Sequence, residues 1–431
     1  MERLLHYTWA HRLYGASPLV TTDGRRVEII DPGLHNDNAG PDFFNAKIKI
    51  DGEMWAGNIE IHSMSSDWMR HGHQRDANYN NVILHVVEHA DTDVWTAAGK
   101  QLLQVEIHVP EEVERNYADL LREDKYPPCY KIIPTLPAIA VHQWLDSLSV
   151  ERLEQKMMRI QGYADRLSGD WENAFFVTLA RSFGFGINGD AFEEWAFHIP
   201  LQACGKHRDN LFQIEALFLG QAGLLEDDMI PEYHLSFAQE EGYYTKLQGE
   251  YHFLRHKFSL TAMNGMHWNF LRLRPQNFPH IRLVQLAQLY CSQQVNLSVI
   301  ADLADIEEAY KVFDTHVSPY WTTHYGFGAE SGFAEKKLQK RSIDLILVNA
   351  ALPMLFAYGR HRLKQEYCQR AVNLLAMLKA ENNRYVRMWS ETGLLVATAS
   401  DSQALIQLKT HYCDRKDCLR CRFGYYYLKR M

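Results

Sequence analysis

The sequence predicts an α/β (α+β) N-terminal domain with a β-hairpin-centred sheet, followed by a mostly α-helical domain. Three observations carry this. Apolar residues alternate with period two up to about residue 110, they recur with a helical period beyond about residue 140, and a proline-rich stretch lies between. At 431 residues the chain also exceeds the roughly 250–300 that one hydrophobic core sustains.

The elements follow in order. A helix fits Leu4 to Leu13, and short β-type runs cover Arg26 to Asp31, Asn45 to Ile50, Trp55 to His62, Val82 to Val87 and Leu102 to Val109. Between the third and fourth runs a helix fits Ser66 to Asn80, capped by Ser66 or Asp67. Tyr126-Pro127-Pro128-Cys129 through Pro134 and Pro137 can continue neither helix nor central strand and reads as a linker. Domains are therefore expected at 1–125 and 141–405, joined by 126–140 and followed by a Cys-rich basic segment at 406–431. In the second domain Leu145, Leu148, Leu153, Met157 and Ile160 form one stripe, and Ile343 to Leu355 is apolar all round.

Hydrophobic residues are 46% and charged residues 23% of the chain, as in ordinary globular proteins. No apolar run is expected to approach the ~20 residues of a membrane span, and the N-terminus lacks the apolar core of a signal peptide, so a cytoplasmic protein without membrane contact is expected. The formal charge of -8 excludes a uniformly basic surface but leaves room for one basic groove. Of seven cysteines, Cys129, Cys204, Cys291 and Cys368 stand apart in the sequence and read as reduced buried thiols.

Asp51-Gly52 between Ile50 and Glu53 is a strong hairpin signal, because Gly tolerates the positive φ of a type I′ turn. On the second strand Glu60 and His62 share one face. A strict register sets Asp42 opposite Ile61, on the wrong face; a one-residue bulge near Asp42-Phe43, or a three-residue turn, would bring it across.

Gly40-Pro41-Asp42-Phe43, a strand, a tight turn and a strand bearing Glu60-Ile61-His62 resemble the core of the PD-(D/E)XK nuclease superfamily, with His62 in place of the usual lysine. The resemblance implies a nuclease-like fold with Asp42, Glu60 and His62 as catalytic residues. It also implies that Asp42, Glu60 and the Ile61 carbonyl hold Mg²⁺ or Mn²⁺, a set of hard oxygen ligands that suits these ions. His62 can act as a base or as a ligand to Mn²⁺ or Zn²⁺. His71, His73, Asp76, Tyr79 and His85 are candidates for supporting or substrate-binding roles, Asp76 and Tyr79 sharing a face if their segment is helical. The whole chain also resembles a bacterial family, domain of unknown function 2851, through Gly40 to Phe43, Gly57 to His62, and the run from Asp67-Trp68 to Val86-Val87.

Near the C-terminus His411, Cys413, Cys418 and Cys421 offer three thiols and an imidazole, with Cys418 and Cys421 at C-x2-C spacing. A structural Zn²⁺ is expected there, with an iron–sulfur cluster as the alternative. Lys409, Arg415, Lys416, Arg420, Arg422, Lys429 and Arg430 interleave with Tyr412, Phe423, Tyr425, Tyr426 and Tyr427, a pattern suited to nucleic acid or to a solvated basic tail. The function expected is metal-dependent hydrolysis of nucleic-acid phosphodiesters. The alternatives are a catalytically inactive nucleic-acid-binding protein and a small-molecule metallohydrolase using His62, His71, His73 and Asp76. The sequence leaves the oligomeric state open.

Overall fold

A computed structural model describes residues 2–14, 18–36 and 38–430. The chain divides into two compact units, Met1–Pro137 with Glu391–Leu394 and Lys409–Met431, and Ala138–Ser390 with Leu395–Leu408. The stretch read as a linker is thus folded into the first unit as far as Pro137, and its Cys129, Ile132 and Ile133 are buried there. The C-terminal cysteines return to that same unit.

The first unit begins with helix α1 (Glu2–Ala10) and carries seven strands: β1 (Leu19–Val20), β2 (Arg26–Asp31), β3 (Leu34–His35), β4 (Phe43–Ile50), β5 (Glu53–Met64), β6 (Val82–His89) and β7 (Gln104–Glu106). They form one mixed sheet in the order β1-β2-β4-β5-β6-β7, with β3 against β4. Neighbours from β1 to β5 are antiparallel, whereas β6 runs parallel to β5 and β7 parallel to β6. A bridge between Thr21 and Val105 brings the first and last strands together, so the sheet nearly closes. The expected strand Leu102 to Val109 shortens to the three residues of β7.

Strand β4 alternates as its sequence demands, with Ala46, Ile48 and Ile50 buried and Asn45 and Lys47 exposed. Asp51 and Gly52 take φ of 50° and 88°, the two positive values of a type I′ turn, and Ile50 pairs with Glu53. Further along, Ala46 pairs with Gly57 but Phe43 with Ile59, so β4 carries one residue more than β5 over this span. Asn45 absorbs it at φ 56°. The bulge changes the register by one, and Asp42 comes opposite Glu60 instead of Ile61. Glu60 pairs in turn with His85 on β6, so Asp42, Glu60 and His85 lie in one row across the sheet.

The β5-to-β6 crossover is not the single helix expected from Ser66 to Asn80. It is a short helix α2 (Asp67–Arg70) followed by two 3-10 turns at His73–Arg75 and Ala77–Tyr79. Gly72 at φ 81° and Asp76 in an extended conformation break the helical path. Helix α3 (Glu111–Arg122) follows the sheet.

The second unit is mostly helical, with one two-stranded antiparallel sheet at His324–Gly326 and Ala329–Glu330. It opens with α4 (Ala138–Arg166) and α5 (Trp171–Phe183) around a core that includes Phe175, Trp195, Phe218, Leu283 and Leu352. The helix Lys340–His361, 22 residues with a mean hydropathy of 1.5 over its apolar window, is long and apolar enough to cross a membrane, contrary to the sequence expectation. Of that window 72% is buried inside the protein, so its apolar faces are accounted for by the core.

Gly57 is where β5 passes closest to the crossover, since a Cβ there would lie 2.4 Å from Ile83 Cγ2 and 2.7 Å from the Asn81 carbonyl. Gly57→Ala is therefore expected to lower stability by about 1–3 kcal/mol in denaturant unfolding.

Candidate functional site

The approach to Asp42 is fixed by Asn36. Its backbone N–H donates to the Asp42 carbonyl at 2.8 Å and its side-chain amide donates to the Pro41 carbonyl at 3.0 Å, while Gly40 turns the chain at φ 105°. Asp42 Oδ2 then accepts the Ile61 N–H at 2.9 Å, and Glu60 Oε2 accepts the Asp42 N–H at 3.1 Å. Glu60 is thus tied to the backbone of Asp42, and Asp42 to that of Ile61, the residue after Glu60.

Glu60 Oε1 faces a group of imidazoles, His73 Nε2 at 3.2 Å and His62 Nε2 at 3.5 Å. His62 Nε2 also lies 3.2 Å from His71 Nδ1, and His62 Nδ1 lies 2.8 Å from His85 Nε2. The ligand atoms of His62, His71 and His73 fall within 4.8 Å of one another. When His62 donates its Nδ1–H to His85, its Nε2 lone pair is directed at Glu60 and His71, the tautomer that ligates a metal. Tyr79 stacks on His73 at 3.9 Å, and Trp68, fully buried, packs its edge against His73, Tyr79 and His85. These rings fix the plane of His73.

Burial dominates the electrostatics. It pushes Asp42 up to about 6 even though the Ile61 N–H favours the anion. Burial also raises Glu60, opposed by the adjacent His73 imidazole and helped by the nearby Asp42 charge. His62 is driven down to about 2 by burial and by the surrounding histidines, and His85 to about 3 by burial and His73. Both are neutral imidazoles at pH 7, with lone pairs to offer.

Asp42, Glu60, Ile61, His62, His71, His73 and His85 are thus brought together, with Tyr79 packed beneath. Asp76 is not: its Oδ1 accepts the Asn78 N–H at 2.9 Å, capping a 3-10 turn, because the segment is not the helix that would have aimed it inward. Sequence reasoning missed His6 and His35. His6 Nε2 lies 3.5 Å from Asp42 Oδ2, and its Nδ1 lies 3.4 Å from His35 Nε2. The available signal was a histidine inside the apolar helical run Leu4-Leu5-His6-Tyr7-Thr8-Trp9. Burial holds the proton affinity of His6 below its ordinary value.

His6 and His35 also line a cleft of about 700 Å³ whose walls include Arg3, Arg415, Lys416 and Arg420. The basic C-terminal segment therefore shares a cleft with a histidine that touches Asp42. Its aromatic residues are only partly available, since Phe423 and Tyr427 are buried and cannot stack on a ligand.

At the C-terminal cysteines the walls of a pocket of about 20 Å³ include Cys413, Cys418, Cys421 and Cys129, so Cys129 is not an isolated thiol. Burial, and then the neighbouring sulfurs, raise the thiols of Cys129 and Cys413 well above the ordinary value.

A family described as "Protein of unknown function (DUF2851)" matches residues 2–384. The chain belongs to that family. The match takes in the carboxylate–imidazole cluster and Cys129 and ends before the three C-terminal cysteines. No curated protein and no solved structure matches the chain.

The donor set suits a divalent cation. Two carboxylates provide oxygen, three imidazoles provide nitrogen, and His6 Nε2 and His73 Nε2 are buried facing carboxylates without hydrogen-bond geometry, an arrangement a cation between them would satisfy. Mixed oxygen and nitrogen donors favour Mn²⁺ or Zn²⁺ over Mg²⁺. Because Asp42 must give up a proton to bind, Mn²⁺ affinity is expected to fall about tenfold per unit below pH 6 and to level off above it. Calorimetric titration across pH 5–8 checks this, with Asp42→Asn flattening the slope.

Proposed function

We propose that the protein is a metal-dependent hydrolase of nucleic-acid phosphodiesters, centred on Asp42, Glu60 and the histidines around them. The observation that carries the proposal is the position of this centre, with the bulge setting Asp42 beside Glu60 and His6 joining Asp42 to a cleft walled by Arg3, Arg415, Lys416 and Arg420. Carboxylates alone would repel a phosphate. A bound cation and a basic approach make the same site attractive to one.

The chain order supports the same reading. A helix, an antiparallel run of strands with the Pro-Asp before β4 and Glu60-x-His62 on β5, a crossover, and a parallel β6 follow one another. These features fit the PD-(D/E)XK likeness, although the near-closed sheet is a departure from a plain open one.

Asp42, Glu60 and His62 would hold the ion, with His71 and His73 beside them. Bound there, it would supply Lewis acidity at the phosphate and acidify the attacking water. The residues supply the rest. His6, neutral at pH 7 and open to the cleft, is placed to take the water's proton, and His85 holds His62 in its ligating tautomer. His62 cannot replace the charge of a lysine, since burial keeps it neutral. Arg415, Lys416 and Arg420 would bind backbone phosphates. Reduced thiols accord with a cytoplasmic location.

The imidazole cluster also favours a second reading, a zinc enzyme for small molecules. It loses one of its expected ligands, because Asp76 is spent on capping.

Purified protein with Mn²⁺ is expected to cleave single- or double-stranded DNA or RNA. Asp42→Asn and Glu60→Gln should each lower the rate by at least about 100-fold with folding intact, since each removes an anionic ligand. His6→Ala should cost less, on the order of 10²-fold or below. Salt-dependent binding without cleavage under any divalent metal would assign the protein to binding alone.

A further inference from the structure

The four cysteines of the first unit arrive from two ends of the chain. Cys129 comes from the proline-rich stretch after α3. Cys413 closes a π-type helical turn (Leu408–Cys413), and Cys418 and Cys421 flank a 3-10 turn at Cys418–Arg420. Their spacing is C-x4-C-x2-C, with Cys129 added through space.

They surround a void of about 20 Å³, room for a single small particle. Cys129 and Cys421 are buried and Cys413 and Cys418 half-buried there, and four thiols around unfilled space add little to a core, since thiols hydrogen-bond weakly and the gap forfeits dispersion contacts. The backbone around them is nevertheless tight. A Cβ on Gly424 would lie 2.0 Å from the Cys418 carbonyl, so the chain after the C-x2-C pair can pass here only as glycine. The sulfurs form no disulfide. Four cysteines lining one small pocket beside a closely packed turn offer the donors that a thiophilic metal prefers.

We propose that Cys129, Cys413, Cys418 and Cys421 together bind a thiophilic metal, as one zinc ion or an iron–sulfur cluster, and that this centre fixes the basic loop 414–420. Zinc needs no more than four thiolates in a tetrahedron and suits the small void, whereas a cluster requires the sulfurs to stand further apart. Either joins residues separated by nearly 300 positions, a closure that free thiols cannot hold.

The loop between Cys413 and Cys418 shows why the centre would matter. Asp414 Oδ1 accepts from the Tyr126 hydroxyl at 2.7 Å, and Lys416 Nζ donates to the Leu121 carbonyl at 2.5 Å, which bring Arg415 and Lys416 to the cleft wall beside His6. The metal assignment stands on the cysteines alone; the role of the loop in binding rests on the nucleic-acid reading above.

The test is metal and acid-labile sulfide analysis of full-length protein purified without added metal under nitrogen. One zinc per chain supports the proposal, and so does iron with matching sulfide and visible charge-transfer absorbance, which identifies the cluster form. Cys129→Ser and Cys421→Ser should each lose most of that metal, while Asp42→Asn and Cys204→Ser keep it. Wild-type protein free of zinc and iron, with the four thiols reacting freely with a thiol reagent after unfolding, would overturn the proposal, and so would full metal content in Cys129→Ser. Because the carboxylate–imidazole centre also suits zinc, the assignment is read from Asp42→Asn, whose retained metal places it at the cysteines even where a cysteine variant fails to fold, and whose loss of that metal would overturn the proposal. For the loop, Cys129→Ser should weaken binding of a fluorescent DNA oligonucleotide about tenfold; unchanged binding after metal loss would overturn that role without touching the proposed hydrolysis.

Discussion

One additional residue in β4 decides whether a site exists at all. Side chains on a strand alternate between faces, so the register between β4 and β5 determines which groups meet, and a slip of one exchanges every partner. With Asn45 taking up the extra residue at positive φ, Asp42 pairs across from Glu60 and its carboxylate reaches the Ile61 N–H. Without it the same aspartate would lie among isoleucines. Because β6 is parallel and in register, His85 continues the row, and the broken crossover drops His71 and His73 over it.

The fold bears a cost at this centre. Burial raises the proton affinity of both carboxylates, with the Asp42 charge adding to that of Glu60, and holds His62 and His85 neutral. Such an arrangement is unfavourable in an ordinary core, where buried charges are paired or neutralised. Groups with pKa values pushed from their usual ranges and gathered at one place, here reached from the cleft through His6, are what the proposed hydrolysis draws on. The proposed cysteine centre would follow the same logic with softer donors. One cluster offers oxygen and nitrogen, the other sulfur, and the basic cleft lies between them within the first unit.

Much of this was legible in the sequence. The Asp-Gly turn and the alternation after it anticipated the hairpin, and the face conflict at Asp42 itself pointed to the bulge. Local pattern was enough because each of those features is local. The crossover was misread because Ser66 or Asp67 at the head of the segment reads as a helix cap, while Gly72 and Asp76 set the backbone otherwise. Cys129 and His6 were missed for another reason. Each is a single residue whose meaning comes from a partner far away in the chain, and spacing says nothing about that.

The most direct measurement is the position of a metal at the carboxylate–imidazole centre, found by anomalous diffraction at the manganese edge from crystals soaked in Mn²⁺. The account predicts a peak within about 2–2.4 Å of oxygen from Asp42 and Glu60 and of nitrogen from His62. A soaked crystal with no density there, or with the ion held elsewhere while Asp42 and Glu60 keep their backbone hydrogen bonds undisturbed, would contradict it.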